Sequence, residues 1–354
     1  MALDPHTEDF QRLSLRYASS LDAADPFTAV RSLADFGRRF AQNRDALPQS
    51  DQDRAFHLVV RATDLIDYQL PFASDAAAKG IIDSARKLLE EAVDLDASCH
   101  DARRMLAAAD NPSFEDYYRF LADGEAEVRA ACERARDAVD LPEPGAAHVA
   151  GQLAMRPYVR WLAALGARAL ECGHYRKSVD ACRRLLDVEG GDPAGGCLTL
   201  ALAYAKLEDE RGLDELLALP VCAARPTSPW FVLARIALAY KARDFDSAAG
   251  GVRSLLEGYP RAGMTLAQQD WLPDGVYARI VVKPYSEDEL ILAVSEATVI
   301  LQEGCDSRER GALGSWISRL PEVVAASARD AAAEASPQAG AGTTGRDASE
   351  GDGE

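Results

Sequence analysis

Apolar positions recur at helical spacing along most of the chain. Phe10, Leu13, Tyr17 and Leu21 fall at i, i+3, i+7 and i+11, one face of a helix. Val30, Leu33, Phe36 and Phe40 repeat the pattern after Pro26. Phe56, Val59, Ala62 and Leu65 follow Ser50-Asp51, which suit an N-cap. Ile82, Ala85, Leu88, Leu89 and Ala92 make a fourth face. Ser113-Phe114-Glu115-Asp116 resembles a capping box with Asp in the fourth place, and predicts a long helix to about Val139. Leu141-Pro142-Glu143-Pro144-Gly145 stops it. Only Val276–Val282 is β-branched enough to read as extended, and a lone strand has nothing to pair with. It is expected as a loop or small hairpin. The pattern predicts an all-α protein.

From Ser327 the pattern stops. Residues 327–354 are mostly Ala, Gly, Ser, Thr and acids, too polar to offset the entropy of ordering. A disordered acidic tail is expected there.

The informative stretch is Tyr158–Pro260, where self-similarity appears at a period of 35 to 36 residues. Leu162, Leu165, Gly166 and Ala169 set a spacing. Cys197, Leu200, Ala201 and Tyr204 repeat it, and so do Leu233, Ile236, Ala237 and Tyr240. Each set carries a small residue where a second helix can approach closely. A turn and a second helical face follow: Gly173-His174-Tyr175 leads to Val179, Cys182 and Leu185, and Asp244-Phe245 leads to Ala248, Val252 and Leu255. One helix pair this short cannot hide its apolar face, so neighbours must stack.

This pattern resembles the tetratricopeptide repeat (TPR) superfamily. Gly166 and Tyr175 match its helix-A small residue and post-turn aromatic in the first unit, with Asp192-Pro193 near the closing position. Ala201 and Tyr204 mark the second unit. Ala237, Phe245, Ala248 and Pro260 match in the third. The middle unit departs: Glu210 stands where the aromatic belongs, and Pro220 cuts its second helix short. Ser178 replaces the helix-B Ala of the first. Arg156-Pro157-Tyr158, Trp271-Leu272-Pro273 and the segment from Tyr285 to Glu289 are also similar to bacterial TPR-like relatives of the suppressor-of-tumorigenicity-seven family.

The resemblance implies a right-handed helix-turn-helix solenoid with capping helices at both ends. The expected division is N-terminal helices at 1–70, a helical region with a partial unit at 71–140 and a linker and helix start at 141–157. Three degenerate units at 158–260, a C-terminal cap at 261–326 and the tail at 327–354 follow. Ser286-x-x-Glu289 caps a helix in the C-terminal region, and Trp316 is placed to cover the last apolar face.

The resemblance also implies that a partner lies on the concave helix-A face. Arg160, Lys206, Phe231 and Lys241 are the candidate binding residues. Ala163 and Ala167 stand where a carboxylate clamp needs polar groups, so no clamp is expected. Three cations on an apolar face point to an acidic or amphipathic helix as the occupant, unless the protein's own helices fill the face.

Charge excludes other partners. The 39 basic residues stand against 57 acids, a net charge of −18, which repels nucleic acid and anionic membrane surfaces. Arginine outnumbers lysine 33 to 6, a bias expected of a GC-rich genome. The seven cysteines are scattered with no C-x-x-C pair, and the start lacks the basic and apolar regions of a signal peptide, so a reducing cytoplasm is expected. No uncharged stretch approaches the roughly 20 residues of a membrane span.

No catalytic constellation, cofactor motif or metal spacing stands out. The histidines are isolated, with His174 expected on the solvent side of a turn. Gly190-Gly191-Asp192-Pro193 reads as a turn rather than a phosphate loop. Trp230, Trp271 and Trp316 read as packing anchors. A non-catalytic interaction scaffold is the leading expectation. A ligand-sensing regulator or a helical enzyme with an unrecognised site are the alternatives.

Overall fold

The computed structural model describes residues 3–19, 26–111, 113–272, 282–305 and 310–335, with 26–34 as backbone only. These residues form eighteen α-helices and no strand. Of the segment expected to be extended, 276–281 lie outside the described residues, as does Leu21 of the first helical face.

The N-terminal helices are α1 (Pro5–Ser19), α2 (Pro26–Asn43) and α3 (Asp51–Thr63). The Ser50 hydroxyl accepts from the Asp53 amide and the Asp53 carboxylate accepts from the Ser50 amide, a reciprocal cap that fixes where α3 starts. Next come α4 (Asp75–Leu95), α5 (His100–Asp110) and α6 (Phe114–Asp137), the last capped by Ser113 as the sequence implies.

The repeats begin with α7 (Pro144–Glu171) and α8 (Tyr175–Val188). They continue through α9 (Gly196–Leu207), α10 (Glu210–Leu217), a short α11 (Pro220–Ala223), α12 (Pro229–Lys241) and α13 (Phe245–Gly258). The C-terminal region holds α14 (Ala262–Gln268), α15 (Glu287–Glu296), α16 (Thr298–Leu301), α17 (Ala312–Arg319) and α18 (Pro321–Ala335).

The apolar core is strung along the chain rather than gathered at one centre. Leu13, Phe36 and Leu47 make a small first cluster. Phe56's neighbours Ala55 and Val59 pack with Ala85, Leu89 and Ala102 in a second. Leu121, Tyr158, Trp161 and Leu185 anchor a third. The largest runs from Leu170 to Val323. Serial cores shared by neighbouring helix pairs are the signature of a solenoid.

The repeat positions sit at helix contacts. A Cβ on Gly166 would lie 2.6 Å from Cys182 Sγ, so only glycine lets α7 and α8 approach this closely. Ala201, Ala237 and Ala248 are fully buried. The Tyr204 hydroxyl accepts from Arg183 Nε at 2.8 Å. Tyr175 is partly buried beneath Lys206 Nζ, 5.1 Å from its ring centroid. Phe245 is half exposed and meets Tyr240 edge-on. Pro260 is exposed just beyond α13.

Two boundaries differ from expectation. The helix start expected within 141–157 comes early, leaving little linker: α7 starts at Pro144 and runs unbroken through Pro157 to Glu171. Pro144 sits in the first turn, where a missing N–H costs nothing, and Glu143 caps the Gly145 amide at 3.0 Å. The tail boundary also moves. α18 continues to Ala335, and Asp330 accepts from the Met264 amide at 3.0 Å. Gly263 makes the contact possible, since a Cβ there would lie 2.4 Å from the Ala326–Ser327 backbone. Alanine-rich composition looked like a solvated tail, but small side chains are what allow α14 and α18 to pack closely. Residues 336–354 lie outside the described part.

Candidate functional site

The concave-face expectation is corrected by where its residues go. Arg160 is buried on α7 and held by the protein's own acids: its Nη1 donates to Glu8 Oε2 and its Nε to Asp101 Oδ1, both at 2.7 Å. Lys206 and Lys241 lie elsewhere and converge on Glu303, with Nζ at 2.8 and 3.1 Å from its carboxylate. Phe231 is in the C-terminal core. The three cations are therefore held by acids of α1, α5 and the turn after α16 and are not free for an acidic partner.

The single tryptophans behave as anchors to different degrees. Trp230 is buried and donates to Glu296 Oε2 at 2.7 Å. Trp316 leans on Tyr240 and Phe245, covering the end of that core. Trp271 remains half exposed. His174 is not a bare solvent residue: its Nε2 pairs with Glu115 at 3.0 Å and its ring lies against Tyr118.

What the repeat pattern did not reveal is a cavity in the N-terminal part. α3 does not stop cleanly at Thr63. It widens into a π-helical turn over Asp64–Gln69, followed by a tight turn at Leu70–Phe72. Such wide turns recur at functional sites, because they push side chains out of the helical register. Here the turn carries Ile66, Asp67 and Tyr68 to a cavity of about 540 Å³ between α3, α4 and α5. Phe56 and Val59 from α3, Ala85 and Leu89 from α4 and Met105 from α5 make its walls apolar.

The inner end is charged. Asp101, Arg104 and Arg160 reach it. Around them Arg12 donates to Glu8 Oε1 at 2.8 Å, and Arg156 Nη1 donates to Gln11 at 2.9 Å with Glu8 at 3.5 Å. Four arginines thus surround two carboxylates. Arg104 is the least engaged: its nearest acid is Asp101 at 3.8 Å, and its buried Nε has no hydrogen-bond partner.

Burial acts to raise the carboxyl pKa of both Glu8 and Asp101. Arg160 and its neighbours overcome that and hold each below its usual value, so both stay ionised. Asp67 goes the other way. Burial lifts it to about 6, with Arg104 only partly offsetting the cost.

A second opening lies in the repeats. α10 has 8 residues where α8 and α13 have 14. At 1.5 Å per residue α10 is about 9 Å shorter than its counterparts, and only the four-residue α11 follows it. Pro220 causes this, as the sequence implied. A groove of about 660 Å³ results, with Val232, Leu238 and Ala239 of α12 along it. Glu208, Glu210, Asp214 and Asp244 outnumber Arg235 and Lys241 on its rim.

Among the described residues no group of three or more His, Cys, Asp or Glu is placed to hold a metal ion, and no helix is long and apolar enough to cross a membrane. No family model, curated protein or solved structure matches the chain.

Proposed function

We propose that the protein is a non-catalytic interaction module, a TPR-like scaffold that receives a segment of a partner protein in the α10–α13 groove. The observation that carries this reading is the shortened α10. A solenoid stabilises itself by stacking each helix on the next, and here one position in the outer layer is left open over α12. An amphipathic helix laid into that opening would bury Val232, Leu238 and Ala239 and restore the layer. The rim is net acidic, with two of its acids already paired: Arg235 meets Asp214 at 3.0 Å and Lys241 meets Glu208 at 3.6 Å. Glu210 and Asp244 remain to meet a cation, so the partner segment is basic rather than acidic.

Photocrosslinking tests this. A photoreactive residue at Ser254, which lines the groove, is expected to capture a partner whose crosslinked peptide carries lysine or arginine on one helical face. Ala239→Glu is expected to abolish the capture while leaving the fold intact. A partner captured equally by Ala239→Glu, or crosslinked only from the opposite face, overturns the groove as the binding surface.

A further inference from the structure

The N-terminal cavity has a composition that the scaffold role does not use. We propose that it binds an elongated apolar anion, a long-chain carboxylate, with its head group on Arg104 and its chain against α3 and α4.

Three observations converge. The first is size and lining. A cavity of about 540 Å³ lies within the range of small-molecule sites, and its walls are predominantly apolar.

The second is polarity at one end. Asp101, Arg104 and Arg160 cluster together on the lining, with Asp101 paired to Arg160 and 3.8 Å from Arg104, while Arg86, also on the lining, is held by Glu90 and Asp110. That is the layout for a molecule with one charged end. Glu8 and Asp101 are consumed by Arg12 and Arg160. Arg156 also faces Glu8, and Arg104, which lines the cavity with Asp67, has no acid closer than Asp101 at 3.8 Å. Its buried Nε lacks an acceptor. A buried donor without a partner costs about 1–3 kcal/mol, and a carboxylate supplies the acceptor in a charge-assisted bond.

The third is the π-helical turn. It spends regular hydrogen bonding to place Ile66 and Tyr68 over the cavity, a local departure that core packing alone does not require. Asp67 faces the same space, flanked by Asp64 and Tyr68 on its own turn, Arg104 of α5 and Arg86 of α4. Its neighbour Asp64 is held by His6 of α1 at 2.7 Å.

Titration calorimetry of the full chain with dodecanoate below its micellar concentration tests the proposal. One site is expected, with affinity rising from octanoate to dodecanoate as more of the cavity fills. Arg104→Gln is expected to weaken binding tenfold or more. Ala109→Trp, at an exposed residue of the mouth, is expected to abolish it without lowering the melting temperature. Dodecyltrimethylammonium, with the same chain and opposite charge, is expected not to bind. Absence of dodecanoate binding overturns the proposal. So does equal binding of the cationic detergent, or binding unchanged by both substitutions.

Discussion

Arg160 Nε donates to Asp101 Oδ1 at 2.7 Å, joining α7 to α5 across 59 residues of chain. The same guanidinium reaches Glu8 on α1, so one side chain ties three helices together. Glu8 and Asp101 are almost wholly removed from water, and Arg160 is mostly so. Each charge pays for its burial only because the others are present.

Removing Arg160 alone therefore leaves two buried carboxylates without their main counter-charge. Arg160→Leu is expected to destabilise the protein by about 3–5 kcal/mol, seen as a lower urea midpoint. Arg160→Leu combined with Glu8→Gln and Asp101→Asn is expected to recover much of that loss, because neutral amides do not need the guanidinium. If the single and triple variants unfold at the same midpoint, the cluster is not coupled.

Acid titration separates Asp67 from this cluster. Glu8 and Asp101 are held below their unfolded pKa, so their stabilisation is present at neutral pH and lost as pH falls through the folded values. Asp67 has a folded pKa of about 6 against 3.8 unfolded. In that interval the folded state binds more protons, so its contribution falls as pH rises toward 6 and is unfavourable above it. Asp67→Asn is expected to stabilise at pH 7, by up to about 3 kcal/mol for a two-unit shift, and to gain little at pH 4. A gain that is the same at both pH values refutes the assignment.

Gly166 tests the packing of the first repeat. A Cβ there meets Cys182 Sγ at 2.6 Å, and Ser178 Oγ already donates to the Gly166 carbonyl at 2.8 Å, so α8 has no room to slide. Gly166→Ala is expected to cost about 1–3 kcal/mol by overpacking. Adding Cys182→Ala removes the clashing atom, and the double variant is expected to lose less than the sum of the two single changes. Strict additivity in a denaturation cycle contradicts the contact.

The helices and their caps were legible because each is a local property. Ser50, Ser113 and Ser286 all cap where the sequence placed them. The shortened middle unit was legible too, since Pro220 cannot continue a helix. The cavity was not. Glu8 and Arg12 look like an ordinary i, i+4 surface pair, and nothing local says that Arg160 arrives from 152 residues away. Arg160 itself was singled out for its helix-A position, and an outward-facing cation and a buried one read alike in sequence. Asp67 had one local trace: it follows Leu65 and Ile66 on a continuing apolar face, where a carboxylate is out of place. The α14–α18 contact was hidden because alanine serves equally in a solvated tail and in a close helix crossing.

That crossing gives a prediction about length. Ending the chain after Ala326 removes Asp330, which accepts from Met264, and Glu334, which pairs with Arg261 at 3.1 Å. It also uncovers the α14 surface around Gly263. The melting temperature is expected to be lower for a chain ending at Ala326 than for one ending at Ala335. Equal values would mean that the last turns of α18 contribute nothing to the fold.

Glu303 closes the C-terminal array onto the repeats, and its two partners are not equivalent. Lys206 is only 6% exposed, whereas Lys241 is 18% and Glu303 itself 44%. Burial raises the Glu303 pKa and the two ammonium groups more than reverse it, so the carboxylate is ionised; Lys241 also meets Glu208, whereas Lys206 relies on Glu303. Deleting the acid leaves Lys206 buried without its counter-ion and beside a like charge. Deleting Lys206 leaves Glu303 half solvated and still paired with Lys241. Glu303→Ala is therefore expected to destabilise more than Lys206→Met, with the first loss on the order of 1–3 kcal/mol for an unpaired buried group. The straight Met side chain also retains the packing of the lysine stem over Tyr175. The order of the two urea midpoints decides the matter. Lys206→Met unfolding before Glu303→Ala would show that the lysine stem, rather than its charge, is what the fold needs at this contact.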